Sequence, residues 1–195
     1  KKKKIIYNGF DTKIFKPSDK KNKIFRRNFK IRDHDFVIGF IGKKSKIKGL
    51  NLFVESMSLI NKKFNNLKFV FLGYGLDIDN YHLKNKLKKN NCLDNSILLG
   101  ERHDPENIIP SFNLLSITSL SEGFPNVLGE AMSIEVPCVV NNVGDCKFVM
   151  GSSGIVVDSS DPLKTVNAWG TVYKMPLEKK IIIGQNGRDR IKEMF

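Results

Sequence analysis

The chain has 195 residues, enough for one well-filled core or one domain with flanking elements. Its 33 lysines and arginines against 20 aspartates and glutamates give a formal net charge of +13, a field that draws nucleotides, anionic lipid or nucleic acid. Three cysteines (Cys92, Cys138, Cys146) without C-x-x-C spacing exclude a disulfide framework and point to a reduced, cytosolic setting, and no apolar run reaches the length of a transmembrane span or resembles a signal peptide.

Residues 5–17 begin with a strand-like piece, turn at Asn8-Gly9 and end at Pro17. They read as a linker, which leaves 18–195 as the domain. Residues 20–32, with Ile24, Phe25 and Phe29, predict a short basic helix. The run 36–41 (FVIGFI) predicts a buried strand, and apolar residues at 50, 53, 54, 57 and 60 predict a helix over 50–64. A strand at 69–72, a polar helix at 81–89 and a strand at 97–99 follow, then a helix near 105–112 and a strand at 114–118. A helix after Pro125, strands at 137–140 and 155–157, and helices at 163–173 and 177–194 complete the chain. This alternation predicts an α/β fold, a Rossmann-like doubly wound parallel sheet, whose ligands bind beyond the carboxyl ends of the strands.

Three of those strand ends carry chemistry. After the first strand comes Gly42-Lys43-Lys44-Ser45-Lys46-Ile47-Lys48-Gly49, a loop suited to a diphosphate but lacking the Walker A order. Alone, its lysines read as a solvated loop, as do the lysine runs at 1–4, 20–23 and 84–91. After the third strand comes Gly100-Glu101-Arg102-His103-Asp104, with Asp104 expected to cap the helix opened by Pro105. After the fourth comes the most informative segment, Ser121-Glu122-Gly123-Phe124-Pro125-Asn126-Val127-Leu128-Gly129-Glu130. There a glycine turn leads into a helix that Asn126 is expected to cap. A helix start offers unpaired N–H groups to an anion, and two acceptor-only carboxylates beside it suit a ligand rich in hydroxyls. A sugar nucleotide has both properties. Without that turn, Glu122 and Glu130 would read as an ordinary loop carboxylate and helix-face carboxylate.

These residues resemble the carboxyl-terminal, donor-binding half of retaining GT-B glycosyltransferases of the family 4 type, nearly end to end. Asn8-Gly9-Phe10-Asp11 with Phe15 and Pro17 is similar to the family's interdomain link, which would make 1–17 that link. Gly42-Lys43 through Lys48-Gly49 resembles its G-R…K-G loop, Gly73-Tyr74-Gly75 its G-x-G turn, and Val143-Gly144-Asp145 through Gly154 its V-G-D…G segment. Glu122 and Glu130 match its Glu-x7-Glu element, the most specific of these likenesses. Lys43 stands in place of the usual Arg, Tyr74 in place of a common Asp, and Phe148 where many members carry Glu.

The resemblance implies that Lys43, Lys48 and Glu122 serve catalysis. The two lysines would neutralise the donor diphosphate and Glu122 would hold hydroxyls of the transferred sugar. Glu130 would accept from the ribose hydroxyls, and Arg102 would lie where the family places the base. Gly42 and the turn Gly123, Phe124, Pro125, Asn126 and Val127 would line the donor site, with backbone N–H groups meeting sugar and phosphate. The expected substrate is a nucleoside diphosphate sugar, UDP-linked in preference to GDP-linked, and no cofactor or metal ion is expected. Asp77-Ile78-Asp79 reads as a turn and cap, the histidines lack metal spacing with the cysteines, and Cys138 is expected to pack as a small hydrophobe. The acceptor, a glycan or lipid-linked hydroxyl, would bind an amino-terminal half outside this chain, so the chain alone is expected not to transfer sugar. The protein is expected in the cytoplasm, with its basic surface in peripheral contact with anionic lipid at the inner face of the membrane. The alternative is a non-catalytic binding module for sugar nucleotide or anionic polymer. Lysines scattered without stacking aromatics argue against nucleic acid.

Overall fold

Strand β1 (Phe36–Ile41) organises the fold by facing two ways. Phe36, Ile38 and Phe40 join Phe53, Met57 and Trp169 in one apolar cluster, while Val37 joins Leu115, Leu128 and Met132 in a second. A strand apolar on both faces belongs inside a parallel sheet covered by helices on each side. The computed structural model describes residues 6–158 and 160–195; the Lys1–Lys4 run and Ile5 lie outside them.

The other strands are β2 (Leu67–Leu72), β3 (Ser96–Gly100), β4 (Leu114–Ile117), β5 (Cys138–Asn141) and β6 (Gly154–Val157). They pair in parallel in the order β3-β2-β1-β4-β5-β6. The chain winds outward from β1 to β3, then returns to place β4 against β1. That reversal opens a crevice between their carboxyl ends. Helices α2 (Leu50–Ile60), α3 (Tyr81–Lys89) and α7 (Pro162–Lys174) contribute to the first cluster. Helices α1 (Asp19–Asn28), α4 (Pro105–Ile108), α5 (Asn126–Ser133), α6 (Cys146–Met150) and α8 (Leu177–Met194) contribute to the second. Among the described residues no helix is long and apolar enough to cross a membrane.

Several boundaries differ from the sequence reading for local reasons. Helix α2 stops at Ile60 and a turn carries the chain to Phe64, whose ring packs 4.1 Å from that of Tyr173. Pro110 lacks an N–H, so the helix predicted over 105–112 becomes α4 followed by a 3-10 turn at Ile109–Ser111. Helix α6 was not anticipated; at five residues it is too short for a readable period. Ser18 caps α1 by accepting from Lys21 N–H at 3.3 Å, although the sequence reading set no cap there. All three cysteines are buried free thiols, and burial raises Cys92 to about 11 and Cys146 to about 12.

Residues 6–17 form no helix or strand, yet they are docked rather than loose. Phe10 and Phe15 pack against the second cluster. The Phe10 ring lies so close over Gly129 of α5 that a Cβ there would stand 2.1 Å from it. Tyr7 reaches Phe124, Phe148 and Phe195 at 5.9, 5.0 and 5.8 Å between centroids, so both ends of the described chain meet above α5 and α6. Phe148, which the sequence reading left without a role, is one ring of this aromatic group.

Gly129→Ala tests that docking. Alanine gains about 1 kcal/mol in helix propensity, but the overpacked ring costs about 1–3 kcal/mol and carries the linker with it. We expect a lowered melting temperature and faster proteolysis near residues 8–16. An unchanged or raised melting temperature would show that Phe10 does not press on α5.

Candidate active site

Two loops at the β1/β4 crevice are locked together by backbone that only glycine adopts readily. Gly49, at φ 67°, ends the loop after β1, and a Cβ there would lie 1.8 Å from the Thr118 carbonyl at the end of β4. Thr118 Oγ1 donates to the Gly49 carbonyl at 3.1 Å, and Leu120 N–H donates to the Ile47 carbonyl at 2.7 Å. Gly144, at φ 51°, performs the same service on the far side, where a Cβ would stand 1.9 Å from the Glu122 carbonyl. Asp145 N–H then donates to the Gly123 carbonyl at 3.1 Å. The left-handed conformation and the absent side chain are both required at these contacts.

This clamp brings Lys48 onto Glu122. The Lys48 ammonium donates to both carboxylate oxygens, at 2.7 and 2.9 Å, and Ser119 Oγ donates to one of them at 2.6 Å. The Glu122 side chain is only 10% exposed and that of Lys48 29%. Such a half-buried charge pair, with one more hydrogen bond on the carboxylate, holds its geometry better than a surface pair. It lines a cavity of about 210 Å³ together with Phe124, Pro125, Asn126 and Val127. The start of α5 opens beside it with no side-chain cap, leaving first-turn N–H groups for an incoming anion.

Asn126 is not the cap the sequence reading assigned. Pro125 holds the cap position, and Asn126 opens the helix with its Oδ1 accepting from Asn8 Nδ2 at 2.9 Å. Asn126 also borders a second cavity, of about 250 Å³, shared with Asn8, Phe10 and Asp11 and with Glu130 on the next turn of α5. Glu130 is half-buried, and its carboxylate has no hydrogen-bond partner among the described residues. Burial, and then the nearby charge of Glu106, hold its pKa above the ordinary glutamate value. A half-buried carboxylate facing a cavity without a donor is an acceptor awaiting one.

The remaining expected residues lie apart from these two cavities. Lys43 is exposed, and its side chain has no partner among the described residues. Gly42 borders the stem of Lys48, 3.3 Å from where its Cβ would be. Arg102 sits beyond β3, two strands from β1, in a two-pronged pair with Asp104 at 2.8 Å for each hydrogen bond. Asp104 occupies the cap position of α4 but makes no cap bond; its carboxylate goes to Arg102, which holds its pKa below the usual range. Asp77 closes a turn onto Asp79 N–H at 3.1 Å, while the cap of α3 is Asn80, accepting from Leu83 N–H at 3.1 Å. Among the described residues no group of His, Cys, Asp and Glu is placed to hold a metal ion. A larger hollow of about 590 Å³, above the start of α2, is lined by Lys44, Leu50, Asn51, Glu55 and Leu120. It contains neither Lys48 nor Glu122, and the chemistry belongs to the smaller pair. The sequence reading missed Asn8 and Ser119 as participants: Asn8 meets a partner 118 residues away in sequence, and Ser119, three residues from Glu122, is a plain serine that carries no signal.

The sequence pattern of the family described as "Glycosyl transferases group 1" matches residues 35–174. The chain belongs to this family. This group 1 glycosyltransferase chain is 27% identical over 89% of its length to a capsular polysaccharide biosynthesis glycosyltransferase, CapM, of Staphylococcus aureus, of which the match covers 46%. It is 28% identical over 98% of its length to an Escherichia coli UDP-Gal:alpha-D-GlcNAc-diphosphoundecaprenol alpha-1,3-galactosyltransferase, with 50% of that protein covered. It thus spans about half the length of the curated relatives it matches. In three dimensions it superposes on Anabaena Alr3699/HepE in complex with UDP-glucose with a TM-score of 0.88 at 21% identity, covering 98% of this chain and 53% of the other. The Rossmann-like sheet is therefore one half of a GT-B fold.

Proposed function

We propose that this chain is the donor-binding half of a retaining glycosyltransferase. The full enzyme would move a sugar from a nucleoside diphosphate donor to a hydroxyl of a glycan or lipid-linked acceptor in cell-surface polysaccharide assembly. One observation carries the reading: the donorless Glu130 carboxylate adjoins, through Asn126, a cavity where Lys48, Glu122 and an uncapped helix start converge. Ribose hydroxyls satisfy Glu130, a diphosphate satisfies Lys48 and the helix start, and hydroxyls of the transferred sugar satisfy Glu122. As the bond from sugar to diphosphate breaks, negative charge grows on the phosphate, and Lys48, exposed Lys43 and the helix start stabilise it more than they stabilise the bound donor. With these positive groups at the diphosphate, the proposed reaction needs no divalent ion. UDP is the favoured carrier, in keeping with the UDP-Gal and UDP-glucose named for the E. coli relative and the Anabaena structure. The acceptor would bind a preceding half, and the +13 charge favours a site at the cytoplasmic face of an anionic membrane.

Calorimetry with UDP across pH 4.5–7.5 tests this. Glu130 must be ionised to accept from ribose, so affinity should rise as pH climbs through its raised pKa. The sign for folding is opposite. A carboxyl whose folded pKa exceeds its unfolded value lends stability at low pH, and that stability is lost as pH rises through the folded value. The terminal phosphate of UDP also titrates, near pH 6, so the comparison is with Glu130→Gln. The variant should bind UDP more weakly at pH 7.5 by about 10-fold or more and lose the part of the pH dependence that wild type alone shows. Wild-type protein that binds neither UDP nor GDP would refute the proposed function.

A further inference from the structure

We infer that Asn8 is a positioning residue of the donor site: its carboxamide holds Asn126 off Glu130 and so keeps that carboxylate open to the ribose. The inference rests on the donor-site reading above. Asn126 and Glu130 are four apart on α5 and share a helix face, a spacing at which an amide and a carboxylate side chain hydrogen-bond readily. They do not do so here. Asn126 Oδ1 accepts from the Asn8 amide, 118 residues away in sequence, at 2.9 Å, which fixes how the Asn126 amide is turned; its Nδ2, the end able to donate to Glu130, makes no bond to that carboxylate. Asn8, Asn126 and Glu130 all line the same 250 Å³ cavity.

The position of Asn8 is fixed from both sides. Tyr7 before it packs on Phe124 and Phe148. Phe10 after it presses on α5 at Gly129, and Asp11 Oδ1 accepts from Lys13 and Ile14 N–H at 2.8 and 3.1 Å. Arg188 of α8 donates to the carbonyls of Thr12 and Phe15. The amide is thus delivered by a held backbone, and the segment that reads as a linker forms one wall of the ribose pocket. Without Asn8, the Asn126 amide is free to turn its Nδ2 onto Glu130 and compete with the ribose for it.

The test is calorimetry on the 195-residue chain with UDP and 2′,3′-dideoxy-UDP, comparing wild type with Asn8→Ala, Asn126→Ala and the double variant. Asn8→Ala should weaken UDP about fivefold, the worth of one neutral hydrogen bond, and leave the dideoxy ligand unchanged. Asn126→Ala, at a residue that lines both cavities, serves as the reference background. In that background Asn8→Ala should cost nothing further, since the competing amide is gone. The disappearance of the Asn8 effect is a result that general damage to the segment cannot give. A further loss in the double variant relative to Asn126→Ala, equal losses for both ligands, or no loss in Asn8→Ala alone would overturn the inference while leaving UDP binding by wild type intact. Absence of wild-type binding to UDP would instead overturn the donor-site reading and this inference with it.

Discussion

Lys48→Ala is expected to weaken UDP binding by about 10- to 150-fold, the worth of a hydrogen bond to a charged group, while Glu122→Gln should tighten it. The opposite signs follow from the pair the two residues make. In the resting site both Glu122 oxygens hold the Lys48 ammonium, at 2.7 and 2.9 Å. A diphosphate has to take that ammonium over from a carboxylate. An amide at position 122 holds it less firmly and removes a negative charge from beside the anion, so affinity for plain UDP should rise by about threefold, or ~0.7 kcal/mol. For the sugar conjugate, the same substitution removes the acceptor proposed for the sugar hydroxyls, so any preference for UDP-sugar over UDP should shrink. Calorimetry on both variants with both ligands gives the comparison. If Glu122→Gln weakens UDP as much as Lys48→Ala does, the ion pair is part of the binding geometry and not a restraint on it.

The largest expected effect on stability is at Arg188. Its guanidinium donates to three carbonyls: Phe15 at 3.0 Å, Thr12 at 2.9 Å, and Ser133 at the end of α5. One planar group therefore joins the segment before α1, helix α5 and helix α8. Arg188→Ala leaves those carbonyls without their charged donor and should cost about 3–5 kcal/mol. In a domain of this size that lowers the melting temperature by roughly 6–20 °C. Arg188→Lys should recover little, because a single ammonium cannot reach in the directions that a planar fork does. Thermal denaturation followed by circular dichroism is the measurement. A loss below about 1 kcal/mol would mean that the three carbonyls find water as good a partner.

The elements that hold this site were readable because each is locally consistent. The run Phe36–Ile41 is apolar throughout, as a strand buried on both faces must be, and 50, 53, 54, 57 and 60 keep a helical period. Glu122 and Glu130 stood out because a glycine-proline turn lies between them. Asn126 misled for an equally local reason: asparagine ahead of a helical run is a common cap, and nothing near it in sequence announces that Asn8 already occupies its oxygen. Asp104 misled in the same way, its carboxylate being taken by Arg102 two residues earlier.

By itself, the sequence determined the alternation of strands and helices, the loops that follow β1 and β4, and the residue types those loops carry. Those properties depend on periodicity and turn chemistry within about a dozen residues. Tertiary structure alone decided that Lys48 and Glu122, 74 residues apart, neutralise each other, and that Asn8 stands beside Glu130. The first depends on β4 returning to pair with β1 at the reversal of strand order, and on Gly49 and Gly144 letting three loops touch. The second depends on Phe10 finding the one turn of α5 that lacks a side chain. Contacts of that kind are set by shape complementarity between distant segments, which no local pattern encodes.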